Sequence, residues 1–171
     1  TPLYSSAASD VYKRQINLLI DRLFFIYGPR MYFEPITLTS LTPFGMLKNS
    51  VEGKPTVFDK GGDQRYDLTH VRDAARGVVL TLLSDSQKLR HRVFNISGGR
   101  VVRLHEIAEI VKKCIPEADI RIGPGELGIK RGFPLDISRA KRDLGYEPKV
   151  SLEDGISETI AWLKGKPITH T

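Results

Sequence analysis

The sequence predicts a mixed α/β fold with short strands and four or five helices. Three observations carry that expectation. Residues 16–26 are nearly continuously apolar, interrupted by Asn17, Asp21 and Arg22; such a run suits a strand buried on both faces, as in a parallel sheet between helix layers. Leu104, Ile107, Ala108, Val111 and Ile115 recur at helical spacing, which predicts an amphipathic helix over 104–114. Along the rest of the chain, short apolar runs closed by Gly or Pro alternate with helical stretches.

Taken in order, residues 1–15 are polar and show no period of 2 or 3.6. They resemble translated adaptor or vector sequence, with a native disordered leader as the alternative, and are set apart from the fold. The strand over 16–26 stops at Tyr27-Gly28-Pro29-Arg30, where Gly and Pro turn the chain into a loop. A long loop containing Pro35 and Pro43 leads to a helix over 44–51, stopped before Gly53. A short strand over 56–58, a turn over 60–63 and a second short strand over 67–71 follow. Asp73 falls in the first turn of a helix reaching about Leu83, where its charge favours the positive end of the dipole. Residues 92–96 read as a strand closed by Gly98-Gly99. After the 104–114 helix come Pro116, a strand over 119–122 and a loop over 123–134. Asp136 is placed to cap a short helix ending near Leu144, with Gly145 just beyond. Ser151 and Asp154 resemble a capping box and open a last helix to Lys164, whose apolar line is Leu152, Ile156, Ile160 and Leu163. The expected organisation is a leader (1–15), one folded unit (16–164) and a frayed tail (165–171). A domain rarely begins on a strand of its own core, so the folded unit is expected to be truncated.

Composition narrows the function classes. A hydrophobic share of 40% and a charged share of 27% are those of an ordinary globular protein. No apolar run approaches the roughly 20 residues that span a bilayer, so no membrane partner is expected. One cysteine, Cys114, rules out an internal disulfide; it sits in a helical pattern as a packing residue, and a cytoplasmic setting fits. The net charge of +6 raises nucleic acid as a partner. The basic residues are scattered among acids without interleaved aromatics, so no nucleic-acid partner is expected. Scattered arginines suit a small anion such as a sugar diphosphate better.

The chemistry-bearing motifs are few. Gly123-Pro124-Gly125-Glu126-Leu127-Gly128 matches G-x-G-x-x-G after a strand. A dinucleotide site also needs a helix opening in that loop to aim its amides at the pyrophosphate. Here Lys130-Arg131-Gly132-Phe133-Pro134 follows, and Pro124 removes a donor, so a surface or substrate-covering loop is expected. The four histidines form no ligand pair at usable spacing, no Gly-x-Ser-x-Gly turn is present, and neither a metal nor a catalytic residue is assigned. Arginines and aromatics near loops remain. Guanidinium groups hold phosphates through paired, charge-assisted hydrogen bonds, which makes Arg65 and Arg131 the candidate phosphate ligands. Phe58, with Thr56 and Val57, is the candidate shelf for a base. The bland readings are a solvated arginine and a core phenylalanine.

Three phrases, in this order and spacing, carry a family resemblance: Leu23-Phe24-Phe25-Ile26-Tyr27-Gly28-Pro29-Arg30, Arg65-Tyr66-Asp67-Leu68-Thr69-His70-Val71-Arg72-Asp73-Ala74, and Asp136-Ile137-Ser138-Arg139-Ala140-Lys141 leading to Leu144-Gly145-Tyr146-Glu147-Pro148. Over roughly 16–163 the chain resembles the C-terminal half of an extended short-chain dehydrogenase/reductase of the NAD-dependent nucleotide-sugar epimerase/dehydratase group. The resemblance implies an α/β fold, the C-terminal part of a Rossmann-like reductase with its substrate-binding lobe. It implies a nucleotide-sugar substrate, NAD or NADP in the complete enzyme, and a homodimeric parent. It places Leu23, Ile26 and Tyr27 near the cofactor and Arg30 at the entry to the substrate lobe. It assigns Thr56, Phe58, Arg65, Tyr66 and Arg131 to the substrate.

Two departures from the family pattern stand out. Tyr66 occupies the usual arginine position, with Arg65 one place earlier, and one step in an extended segment reverses the side chain; Tyr66 is therefore expected to take over the ligand contact. Phe25 stands where many epimerases carry Asn. The family also uses a Tyr-x-x-x-Lys pair, whose lysine lowers the tyrosine pKa for proton transfer. Four residues after Tyr4, Tyr12, Tyr27, Tyr32, Tyr66 and Tyr146 come Ala8, Ile16, Met31, Ile36, His70 and Val150, so neither that pair nor the nucleotide glycine loop is in this sequence. The alternatives are a related reductase or hydroxysteroid-type dehydrogenase, and a non-enzymatic regulatory module of the same fold. Finding no arginine pair facing one cleft would favour the reductase; an upstream segment lacking both Tyr-x-x-x-Lys and the glycine loop would favour the regulatory module.

Overall fold

The computed structural model describes residues 18–31, 43–128 and 134–165. The apolar run is two strands, not one. β1 (Ile20–Leu23) lies parallel to β6 (Val93–Ile96), and β2 (Ile26–Tyr27) lies parallel to β5 (Thr69–His70). The chain changes partners between them. The carbonyl of Phe24 accepts the Thr69 hydroxyl at 2.6 Å and that of Phe25 accepts the Thr69 amide at 3.1 Å. Phe25 makes the bend at φ 39°, a left-handed conformation that costs a non-glycine residue roughly 1–2 kcal/mol. The expected burial on both faces is not met: Arg22 and Leu23 are exposed, because among the described residues β1 has a neighbour on one edge only.

The strand expected over 67–71 is likewise divided. β4 (Arg65–Asp67) pairs antiparallel with β7 (Val101–Arg103), while β5 pairs with β2. The β7 segment was not legible as a strand; Gly98-Gly99 precede it and a helix follows at once. β3 (Thr56–Phe58) lies parallel to β8 (Ile120–Ile122).

Five helices complete the described fold: α1 (Pro43–Val51), α2 (Val71–Leu83), α3 (Leu104–Cys114), α4 (Ser138–Leu144) and α5 (Leu152–Leu163). α3 has the predicted bounds and buries Leu104, Ile107, Ala108 and Val111. The hydroxyl of Ser151 caps α5 by accepting the Asp154 amide at 3.0 Å. Gly145 closes α4 at φ 67°, a backbone state glycine adopts at low cost. The main core joins α1, α3 and α5 to β4 and β7, with Cys114 packed against it. There Tyr27 stacks on Phe44 at 5.5 Å between ring centroids. A smaller core lies under the β1–β6 pair around Phe94, Ile96, Ala140 and Tyr146. α2 covers one face of that pair, and Gly77 lets it approach: a Cβ there would meet Ile96. Asp73, expected to serve the helix dipole, does more. It accepts the amides of Lys149 at 3.0 Å and Val150 at 3.1 Å, fixing the chain that enters α5.

Candidate functional site

The β4–β7 ladder sets the geometry of the candidate site. Its register places Arg65 opposite Arg103 and Tyr66 opposite Val102. Directly opposed residues of an antiparallel pair point to the same face. Tyr66 and Val102 are buried together, and Arg65 and Arg103 are exposed together on the other side. Like charges directly opposite one another are unfavourable, so this face gains from a nearby anion. Glu126 supplies one, 3.7 Å from the Arg65 guanidinium.

The loop carrying Glu126 is fastened beside the arginines by side chains and backbone of 61–67. The amides of Gly62 and Asp63 donate to the carbonyls of Gly123 and Gly125, both at 3.0 Å. The Gly125 amide donates to Asp63 Oδ2 at 3.0 Å, and the Leu127 amide to Oε1 of buried Gln64 at 3.1 Å. The amides of Gly123, Gly125 and Leu127 are thus engaged within the protein, and no helix opens in this loop among the described residues, which break off at Gly128. On the far side of residues 129–133, Asp67 Oδ2 accepts the Leu135 amide at 2.8 Å and the Ser97 hydroxyl at 2.9 Å. Asp67 is fully buried, and burial pushes its carboxyl above the usual range against the pull of those bonds.

The other predicted site residues are distributed as follows. Thr56 is buried and its hydroxyl accepts the Asn49 amide nitrogen at 3.2 Å. Phe58 is half-buried against the main core, whereas Val57, between them, is 55% exposed. Tyr66 faces inward, edge-on to Phe25 with centroids 5.9 Å apart, and burial raises its phenol to about 12. The alternation that was expected to bring Tyr66 to the ligand turns it into the core and leaves Arg65 outside. Leu23 and Ile26 are exposed side chains at the end of β1 and start of β2, while Tyr27 is buried and its phenol is pushed upward by burial. Arg131 lies outside the described residues. His70, read as a packing and hydrogen-bonding residue, caps α2: its Nδ1 accepts the Arg72 amide at 3.3 Å. Sequence reasoning missed Arg103 and Asp67. The signal for Arg103 was a β-branched Val101-Val102 pair before it, too short a run to stand out as a strand.

A parallel strand pair covered by a helix, continuing through β2 into the α/β lobe that holds the main core, defines a Rossmann-like protein with an attached lobe. Residues 4–97 match the profile of the NAD dependent epimerase/dehydratase family, and the chain belongs to that family. It is 28% identical over 152 residues to UDP-glucuronate 4-epimerase of Thermodesulfobacterium geofontis, covering 87% of this chain and 44% of that one. It is 29% identical over 154 residues to dTDP-glucose 4,6-dehydratase of an Actinoplanes species, covering 87% and 44%. Among solved structures, UDP-glucuronic acid 4-epimerase of Bacillus cereus in complex with UDP-glucuronic acid and NAD superposes with a TM-score of 0.72 at 26% identity. That match covers 95% of this chain and 51% of the other. The chain therefore spans about half the length of the relatives it matches.

Proposed function

We propose that this chain forms the sugar-nucleotide-binding half of an NAD(P)-dependent nucleotide-sugar epimerase or dehydratase, in which the proton-transfer pair and the adenosine site are supplied from outside this sequence. The observation that carries the reading is the Arg65–Arg103 pair: two exposed guanidiniums on one face, in ladder register, beside a loop anchored at several points. A diphosphate presents two adjoining anionic groups, which paired guanidiniums bind through charge-assisted hydrogen bonds. Glu126 occupies Arg65 until such an anion arrives. This arrangement favours a nucleotide-bearing substrate over a reductase substrate without one. Exposed Val57 is the apolar surface offered to a base; Thr56 and Phe58 hold it from beneath.

The surface assigned to a nicotinamide in this reading is the passage from β1 into β2. Leu23 and Ile26 expose apolar side chains where β1 passes into β2, and would flank the ring. Tyr27, stacked on Phe44 inside the lobe, would hold the bend rather than touch the cofactor. When bound, NAD supplies the hydride acceptor; this chain's residues bind and orient the sugar nucleotide.

Calorimetric titration of the chain with UDP, and with uridine as the phosphate-free control, tests the reading. Arg65→Ala and Arg103→Ala are each expected to weaken UDP binding about 10- to 100-fold, the equivalent of one charged hydrogen bond. Uridine binding should be unchanged. Glu126→Gln should tighten UDP by up to about fivefold, the worth of an exposed ion pair. UDP binding that ignores both arginine substitutions sinks the proposal. The chain alone should show no turnover and weak affinity for NAD; micromolar NAD binding would contradict the assignment of the adenosine site.

A further inference from the structure

We infer that the cleft between the C-terminal ends of α2 and α4 binds a small organic anion, a carboxylate carried on an apolar body. The inference goes beyond the diphosphate reading and does not rest on it. The Arg65–Arg103 face belongs to β4 and β7, whereas this cleft is built by α2, α4 and the residues that lead into β6.

The cleft has a volume of about 600 Å³, within the range of small-molecule sites. Leu80, Leu83, Leu89 and Leu144 supply its apolar lining. Leu80, Leu89 and Leu144 are half-buried against the smaller core, which holds them in place, and Leu83 is exposed. Apolar side chains that still meet water gain when the apolar body of a ligand covers them.

The charged lining decides what else the ligand carries. Lys88, Arg90 and Arg142 stand against Asp85 and Asp143, three cations to two carboxylates. Both carboxylates are committed within the protein. Asp85 Oδ2 lies 2.9 Å from Lys88 Nζ, and its Oδ1 accepts the Gln87 amide at 3.1 Å. Asp143 Oδ1 accepts the Arg142 Nε–H at 3.0 Å, and its Oδ2 lies 2.7 Å from His91 Nδ1. The helix ends that meet here are closed as well. The Ser84 hydroxyl and amide donate to the Thr81 carbonyl at 2.6 and 3.3 Å. The Gly145 and Tyr146 amides donate to the carbonyls of Lys141 and Ala140, both at 3.1 Å.

Arg90 is left over. It is exposed and, among the described residues, has no carboxylate within ion-pair distance. A guanidinium binds a carboxylate through paired, charge-assisted hydrogen bonds. A neutral apolar ligand would leave that group unused, and a cation would meet like charge with both acids already engaged. An apolar body with one anionic head satisfies the leucines and Arg90 together.

The probe is naphthoate, titrated into the full chain and followed by NMR of the leucine methyl groups; naphthylmethanol is the uncharged control. Naphthoate is expected to bind with a Kd of about 1 mM or tighter, the range of a ligand this small, and to shift the methyls of Leu80, Leu83, Leu89 and Leu144. Naphthylmethanol should bind about threefold more weakly or worse. Arg90→Gln should weaken naphthoate by about three- to tenfold, the loss of an exposed charged contact, and leave the alcohol unchanged. Leu83→Ser should weaken both probes. Both side chains are exposed, so the melting temperatures of these variants should stay close to that of the parent. Shifts confined to other leucines, equal affinity for acid and alcohol, or binding indifferent to Arg90→Gln overturns the inference. So does a chain that ignores naphthoate but sediments with phosphatidylglycerol vesicles through Arg90, which would make a membrane surface the occupant. Arg65→Ala should leave naphthoate binding unchanged, so a failure here and a failure of the diphosphate reading are told apart.

Discussion

The fully buried carboxylate of Asp67 accepts the backbone amide of half-buried Leu135 at 2.8 Å. This contact ties β4, which carries Arg65, to the chain just beyond residues 129–133. The same oxygen takes the Ser97 hydroxyl, so one side chain joins β4, the end of β6 and the segment leading into α4. Asp67→Ala leaves the buried Ser97 hydroxyl without its acceptor, at about 1–3 kcal/mol, and frees the part-buried Leu135 amide at less. Urea denaturation is expected to show a loss in that range or above; a loss under 0.5 kcal/mol, by the same yardstick, would mean that water replaces the carboxylate.

Asp67 also sets a direction of pH dependence. Its folded pKa is raised by burial, so between its unfolded value and that raised value the folded state binds the extra proton. Its contribution to stability is present at low pH and falls as pH rises through this window, then stays flat above it. Asp67→Asn is expected to remove that slope. Unfolding free energies measured from pH 4 to 8 for both proteins check it, and parallel profiles would refute the assignment.

His70 works in the opposite sense. Burial lowers its pKa, outweighing the pull of Glu158, and Nδ1 must stay unprotonated to accept the Arg72 amide. Its contribution to stability is full above the unfolded value near 6.5 and is lost as pH falls through that value towards the lower folded one. NMR titration of the His70 ring is expected to give a midpoint below 6.5. A midpoint at or above it would show that Glu158, 3.6 Å from Nε2, dominates instead.

Tyr146 is fully buried, donates its hydroxyl to the Ser97 carbonyl at 3.0 Å and lies under the Arg76 guanidinium. Burial raises its phenol to about 12. Tyr146→Phe is expected to cost about 0.5–1.5 kcal/mol for the hydrogen bond, and Tyr146→Ala about 3–5 kcal/mol for the cavity. Equal losses in chemical denaturation would place the whole effect in the hydroxyl and contradict the packing role.

Gly77→Ala sets two effects against each other. Helix propensity favours alanine by about 1 kcal/mol, but its Cβ would stand 2.5 Å from the Ile96 side chain, and overpacking costs about 1–3 kcal/mol. Net destabilisation is expected. Ile96→Ala removes the obstacle, so the double variant should be more stable than the two single losses add up to, with a coupling of about 0.5–3 kcal/mol.

Local chemistry alone determined much of this protein. The period of Leu104 to Val111 gave α3 its bounds, Ser151 and Asp154 opened α5, and Gly145 closed α4, because a helix and its caps are written within a few consecutive residues. The three family phrases were legible for the same reason. Tertiary structure decided the rest. It split the run at Phe25, where the strand leaves β6 for β5, and it turned Tyr66 inward. It set Arg65 opposite Arg103, two residues that no local pattern connects. Strand register and the face a side chain takes are fixed by which distant segment pairs with it and which core it joins. Those choices are settled by long-range burial and hydrogen bonding, which a linear reading does not contain.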